Sequence, residues 1–240
     1  MCGRFVSSSQ PDEIAKYFGA SLGETLLDPS FNVAPTNDVY VVLESGETRR
    51  IEAMRWGLVP FWAKNPAVGA KMINARAETV ATKNAYRSAL SKRRCIIPAD
   101  GFYEWQKVPG QKAKQPMFIH RADGDRFAFA GLWEVWRDPE RPDAEPLHSC
   151  TIITGAANDA IAPVHDRMPV MLPPDAWDTW LDNDVRDVAV ASKLLVPAPA
   201  SIIAMHPVST DVNRVANKGA SLIEPVPVPD VPGADQATLL

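Results

Sequence analysis

Strand-like runs dominate this chain, and helices do not alternate with them. Stretches of β-branched, aromatic and aliphatic residues recur at 39–43, 49–56, 95–98, 116–120, 127–135, 149–154, 168–172 and 202–208. Glu44-Ser45-Gly46-Glu47 turns the first two runs into a hairpin. Ala99-Asp100-Gly101 follows the third, and Ala122-Asp123-Gly124-Asp125 joins the fourth and fifth. Helix-prone segments are few. One opens at Ser9-Gln10-Pro11-Asp12-Glu13, with the serine as cap, an early proline and acids in the first turn, and Gly19 as its stop. Others cover 77–90, 176–181 and 185–195. Parallel strands need a long crossover, usually helical, between them, and this order supplies none. The pattern predicts α+β: a single domain with a mixed or antiparallel sheet and flanking helices.

The chain has 240 residues, enough to bury a sizeable core, with no repeat and no Pro/Gly/Ser linker to divide it. From Glu224 on, the Pro/Val/Asp tail has no periodicity, so the expected division is a domain over 1–222 and a disordered tail over 223–240. No run approaches the roughly 20 apolar residues of a membrane span, and the N-terminus lacks a signal pattern. The expectation is a cytoplasmic, nucleoid-associated protein with no membrane partner. The three cysteines are widely spaced, so neither a disulfide framework nor a cysteine zinc site is supported. Cys95 and Cys150 lie in apolar runs and read as buried small hydrophobes. No H-x-x-x-H, H-E-x-x-H or glycine-rich phosphate loop occurs, so neither a metal nor a cofactor is expected. The net charge of -4 hides an asymmetry: residues 1–120 carry +5 and residues 121–240 carry -9. The first half offers a modest anion-binding face.

Several residues have the chemistry of a site. The chain begins Met1-Cys2-Gly3-Arg4-Phe5. Loss of Met1 leaves an amine and a thiol on adjacent carbons, a pair that condenses with an aldehyde to an imine and then closes to a five-membered thiazolidine. An unperturbed α-amine titrates at about 7.7–8.0 and an unperturbed thiol at about 8.5, so both reactive forms exist near neutral pH. Glu104 lies between Tyr103 and Trp105; it is either a carboxyl held protonated by aromatic surroundings or a strand-edge glutamate facing water. His165, in Pro163-Val164-His165-Asp166-Arg167-Met168-Pro169, is either a proton-transfer group or a turn histidine paired with Asp166. Asn74 is either a helix cap or an amide fixing a substrate or the Cys2 amine. Arg4, Arg76, Arg87, Lys83 and the run Lys92-Arg93-Arg94 can meet phosphates, and Phe61 and Trp62, on a proline-rich loop, can stack on bases.

Seven motifs then follow in order: Met1-Cys-Gly-Arg-Phe5, Asn32-Val-Ala-Pro-Thr36, Arg55-Trp-Gly-Leu-Val-Pro60, Ile73-Asn-Ala-Arg-Ala-Glu-Thr79, Arg94-Cys-Ile-Ile-Pro-Ala-Asp-Gly-Phe-Tyr-Glu-Trp105, Ala130-Gly-Leu-Trp133 and His165-Asp-Arg-Met-Pro169. In that order the chain resembles the SOS-response-associated peptidase (SRAP) family, the abasic-site processing proteins. The resemblance implies a barrel-like, bifurcated sheet and a partner: single-stranded DNA containing abasic sites. It implies that Cys2 is the nucleophile, that Asn74 lies against its amine, that Glu104 is the acid/base and that His165 assists at the sugar. It places Arg4, Asn32, Pro35, Trp62, Arg76 and Arg87 along the DNA. The expected outcome is a stable crosslink that shields the lesion, made by a monomer that needs no second copy. Two other readings stay open: a thiol peptidase with incidental DNA binding, and a non-catalytic reader of modified or single-stranded DNA.

Overall fold

A computed structural model of the chain describes residues 2–46 and 48–227. Its strands are β1 (Phe5–Ser7), β2 (Ala20–Leu22), β3 (Ser30–Val33), β4 (Asp38–Ser45), β5 (Thr48–Trp56), β6 (Asn74–Arg76), β7 (Arg94–Ala99), β8 (Gly101–Gln106), β9 (Gln115–Arg121), β10 (Phe127–Trp136), β11 (Leu147–Ala156), β12 (Arg167–Pro169) and β13 (Ile203–Pro207). Four short α-helices accompany them among the described residues: α1 (Pro11–Phe18), α2 (Arg87–Lys92), α3 (Trp177–Leu181) and α4 (Val188–Lys193). The α+β expectation holds. Five strands close on themselves in the order β11, β10, β7, β4 and β5, and the circuit is completed where β5 returns to β11. That last pairing is parallel, with Cys150 opposite Trp56, and the rest are antiparallel, so the barrel is mixed. A second, wholly antiparallel sheet runs β13, β9, β8, β1, β3.

The barrel and the second sheet diverge at one residue. β7 belongs to the barrel and β8 to the second sheet, with only Asp100 between them. Gly101 opens β8 because a Cβ there would sit 2.4 Å from the Phe118 ring. Asp100 fixes the bend by accepting from the Ser8 and Ser9 N–H groups at 2.6 and 2.8 Å.

Period-two alternation divides the barrel strands between two cores. Val39, Val41 and Leu43 of β4 join the core shared with the second sheet, while Tyr40 and Val42 join the one covered by the helices. Aromatic edges stitch the first of these together: Phe5 of β1 meets Trp56 of β5 at 5.1 Å, and Phe102 of β8 meets Phe129 of β10 at 5.9 Å. Each such ring contributes about 2–3 kcal/mol by burial, and Phe5 thereby pins the chain three residues after Cys2.

The structure corrects several local expectations. Residues 77–90 are not one helix; only Arg87–Lys92 is helical. Between 77 and 86 only Val80 is buried, so no apolar stripe exists to dock a long helix. Thr79 and Thr82 are β-branched, and the Thr82 hydroxyl donates to the Thr79 carbonyl at 3.1 Å, which favours turns. Gln10 rather than Ser9 caps α1, since Ser9 is spent on Asp100, and Gly19 does stop the helix at φ 60°. The expected helix at 185–195 starts late, at Val188, because the Asp187 side chain caps it by accepting from Ala189 N–H at 2.8 Å. The tail expected from 223 first packs: Pro225 bridges Val208, and Val226 N–H donates to Pro207 at 2.9 Å. Residues 228–240 and Glu47 lie outside the described residues. Among the described residues no helix is long and apolar enough to cross a membrane.

Candidate active site

Cys2 lies in extended chain just before β1 and has no exposed surface. Burial, and after it the Glu104 charge, push its thiol well above the usual range. Its carbonyl oxygen accepts from Asn74 Nδ2 at 2.8 Å. Asn74 is therefore not a helix cap: it opens β6, which runs parallel to β11 with Ile152 opposite Asn74. The preceding residue is fixed as well, because Trp56 Nε1 donates to the Ile73 carbonyl at 2.9 Å. The other end of the Asn74 amide, Oδ1, is buried with no hydrogen-bond partner among the described residues.

Glu104 reaches the same place from β8. The register sets Phe5 against Phe102, and Tyr103 N–H donates to the Arg4 carbonyl at 3.0 Å, which carries the pairing on toward Cys2. Glu104 is 3% exposed, so the water-facing alternative fails. The aromatics on either side of it in the chain are nevertheless not what buries it. Side chains alternate along a strand, and Tyr103 and Trp105 join the core formed by Val6, Phe118, Val212 and Leu222 on the opposite face. The apolar wall beside Glu104 comes from Cys2 and its neighbours instead.

His165 ends a turn in which its N–H donates to the Ile161 carbonyl at 3.0 Å. That turn lies against β8, since Gln106 Nε2, two residues beyond Glu104 on the same face, donates to the Pro163 carbonyl at 3.4 Å. His165 Nδ1 accepts from the Arg167 N–H at 3.0 Å and lies 2.8 Å from Asp166 Oδ1. The backbone contact favours the neutral tautomer with its proton on Nε2, while Asp166 stands ready to accept from Nδ1 once the ring is protonated. Of the two sequence readings, the structure shows the pairing with Asp166.

Arg167 carries no signal of its own in the sequence, although it stands inside the His165 motif. Its Nη1 and Nη2 each lie 3.0 Å from a Glu78 oxygen, and these bonds hold the Glu78 carboxyl below its usual range. Tyr86 is a second residue that motif and pattern do not single out; its hydroxyl reaches the Asn74 carbonyl at 3.4 Å, and nothing in the local sequence signals it.

The six residues expected along DNA divide by exposure. Trp62 is 56% exposed, and Arg76 and Arg87 face solvent. Trp62 is held out by a stiff loop: Gly57 and Gly69 cross with bare backbones, where a Cβ on Gly57 would lie 2.5 Å from the Gly69 oxygen. Trp136 Nε1 also donates to the Ala63 carbonyl at 2.6 Å. Pro35 is half-buried in a turn whose next residue, Thr36, is exposed with φ 73°, a strained value for a β-branched residue. Arg4 is half-buried, donating to Asn32 Oδ1 at 2.9 Å and Val212 O at 2.7 Å. Asn32 has no exposed surface; its Nδ2 is shared by the carbonyls of Val212, Arg214 and Asn217 at 3.0–3.1 Å. Direct contact of Asn32 with DNA requires that loop to move. Of the basic run 92–94, Arg94 turns inward to the carbonyls of Trp180 and Leu90, at 2.6 and 2.9 Å, and cannot meet a phosphate. Among the described residues no three His, Cys, Asp or Glu groups gather as a metal site requires.

Comparison with known proteins gives a consistent result. The family model described as SOS response associated peptidase (SRAP) matches residues 1–215. The Bacillus subtilis abasic site processing protein YoqW is 42% identical over 226 residues, covering 93% of this chain and 99% of that protein. The Escherichia coli abasic site processing protein YedK is 34% identical over 233 residues, covering 94% and 100%. A crystal structure of a Bacteroides thetaiotaomicron protein matches with a TM-score of 0.83 over 94% of this chain and 100% of that one; at 23% identity the likeness is one of fold.

Proposed function

Because the chain belongs to the SOS response associated peptidase family, we propose that it processes abasic sites in single-stranded DNA, capturing the sugar covalently through Cys2 once Met1 is gone. The observation that carries this reading is the grip on Cys2: its carbonyl is held at 2.8 Å by an asparagine whose other end, Oδ1, is buried and unsatisfied. A freed amine at Cys2 is a donor of the right kind for that oxygen.

The chemistry follows from the groups present. Glu104 donates a proton to the ring oxygen of the abasic deoxyribose as the ring opens. The C1′ hydroxyl gives up its own proton, with His165 as the acceptor, and becomes the aldehyde. The Cys2 amine adds to C1′, water leaves, and an imine forms. His165 returns the proton it took to the imine nitrogen, and the sulfur adds to the iminium carbon while the thiol proton passes to the Glu104 carboxylate, leaving the ring nitrogen as a secondary amine. The net change is aldehyde plus aminothiol to thiazolidine plus water. Over the sequence Glu104 gives one proton and takes one back, and His165 takes one and returns it. A thiol whose pKa is raised by burial needs such an acceptor at the moment it adds. An imine left open permits β-elimination and strand cleavage; ring closure prevents both, so the product shields the lesion.

Trp62, Arg76 and Arg87, all exposed, are the groups best disposed to meet the strand itself. Met1-free protein mixed with an abasic oligonucleotide should give a heat-stable adduct without borohydride, and protein retaining Met1 should give none. Absence of any adduct from the Met1-free protein overturns the proposal; turnover of peptides dependent on Cys2 would favour the peptidase.

A further inference from the structure

Outside the candidate site, a cleft of about 470 Å³ opens between the 61–62 turn and α2, lined by Phe61, Ser88, Arg93, Glu134, Val135 and Arg137. Its size is that of a small-molecule site. Phe61 is 61% exposed, an aromatic face with nothing stacked on it among the described residues. Arg137 is exposed and makes no ion pair among the described residues. Arg93 is anchored from behind: its Nη2 lies 2.7 Å from Glu134 Oε2, and Glu134, 4% exposed, spends its other oxygen on the Val135 N–H at 2.9 Å. The Glu134 carboxylate is thus consumed as a brace, while Arg93 Nε is buried with no hydrogen-bond partner. What the cleft offers a ligand is one aromatic face, two guanidinium groups and the Ser88 side chain.

Two elements, α2 and β11, connect the cleft to the candidate site. Ser88 follows Arg87 on α2, and Tyr86, one residue earlier, touches the Asn74 carbonyl. β11 runs beside both places, pairing Ile152 with Asn74 and Leu147 with Trp136. The five steps from Leu147 to Ile152 span about 17 Å at roughly 3.4 Å each, which is roughly five stacked nucleotides.

We propose that this cleft binds a nucleotide of the same DNA strand several positions from the abasic residue, with its base stacked on Phe61 and its phosphate on Arg137 and Arg93. The proposal rests on the reading of the protein as an abasic-site processor. A protein side chain fits the cleft less well, because the Arg137 guanidinium, unpaired among the described residues, the Arg93 group braced on Glu134 and one aromatic face match a nucleotide's phosphate and base together.

The test uses full-length Cys2→Ala protein, which binds without capture, and two oligonucleotides with a central abasic site: one with two flanking nucleotides on each side, one with ten. The long one should bind about tenfold tighter than the short, the scale of one base stack. Arg137→Glu should erase that gain, leave affinity for the short one unchanged, and make the salt dependence for the long one shallower by about one phosphate contact. Phe61→Ala should cut the gain without altering the salt dependence. Unchanged affinity for the long oligonucleotide in both variants overturns the proposal, as does equal weakening for both lengths; the first result is also the one expected if a protein occupied the cleft. Failure of the underlying reading is distinguishable, since wild-type protein would then form no covalent adduct with either oligonucleotide, and the cleft proposal would fall with it.

Discussion

Two polar clusters lie within a few residues of each other at the start of the chain, and they are finished differently. Around Arg4 and Asn32 the amide is spent at both ends: Oδ1 accepts from Arg4, and Nδ2 serves three carbonyls of the 212–217 segment. Around Cys2 the Asn74 amide is spent at one end only, with Nδ2 on the Cys2 carbonyl and Oδ1 buried and unpaired. An unsatisfied buried acceptor costs about 1–3 kcal/mol. A satisfied network ties down a loop, whereas under the proposed function the unsatisfied oxygen beside Cys2 would receive the freed amine. The same residue type is thus fully paired at one position and half-paired at the other.

The contrast can be broken in four ways. Cys2→Ala should abolish the adduct entirely, read on a denaturing gel, while the folded core around Arg4 persists; residual heat-stable adduct would move the chemistry to another nucleophile. Asn32→Ala should cost about 3 kcal/mol in urea denaturation, because it removes one partner of Arg4 and leaves the carbonyls that shared its Nδ2 short of a donor; a loss under about 1 kcal/mol would mean the anchor is decorative. Asn74→Ala should show the opposite profile. It removes one hydrogen bond but also one orphaned oxygen, so stability should change by less than about 1 kcal/mol, while the single-turnover crosslinking rate falls at least about tenfold. A stability loss matching that of Asn32→Ala would erase the distinction between the clusters.

The last effect concerns pH and takes hold only in alkaline solution. Burial raises the thiols of Cys2, Cys95 and Cys150 in the folded protein. An unfolded thiol titrates near about 8.5, so the folded state holds protons that the unfolded state releases above that pH. Stability from this source is intact below about pH 8.5 and is lost as pH rises beyond it, by at most about 1.4 kcal/mol per pH unit for each thiol. The urea midpoint should therefore fall between about pH 8 and about pH 10, and Cys150→Ala should lessen the fall. A flat profile would contradict the burial of these groups.

The strands were legible because alternation is local. The 44–47 hairpin, the runs that became β7, β9, β10 and β11, and the buried Cys95 and Cys150 all follow from residue pattern and turn chemistry. The closure of the barrel was not legible from pattern. It depends on a parallel contact between Trp56 of β5 and Cys150 of β11, far apart in the chain, which no local pattern encodes. The helix expected at 77–90 failed because helix propensity without an apolar stripe does not dock. The basic run 92–94 misled for a related reason: Arg94 faces inward and serves the carbonyls of helix ends. Within the site, motif order pointed to Cys2, Asn74, Glu104 and His165, and the structure brings Asn74 onto Cys2 and sets the Glu104 charge beside its thiol. Sequence neighbours were a poor guide to spatial ones. The aromatics flanking Glu104 lie on the other face of β8, and Arg167, silent in the sequence, clasps Glu78 and fixes the ring nitrogen of His165.

The central claim is that the amine and the thiol of Cys2 are both consumed in capture. The chain has 3 cysteines. Denatured Met1-free protein should therefore take up three alkyl groups from iodoacetamide, read by intact mass, and the denatured, nuclease-trimmed adduct should take up two. Three groups on the adduct would mean that the Cys2 sulfur is still free, and would contradict thiazolidine closure.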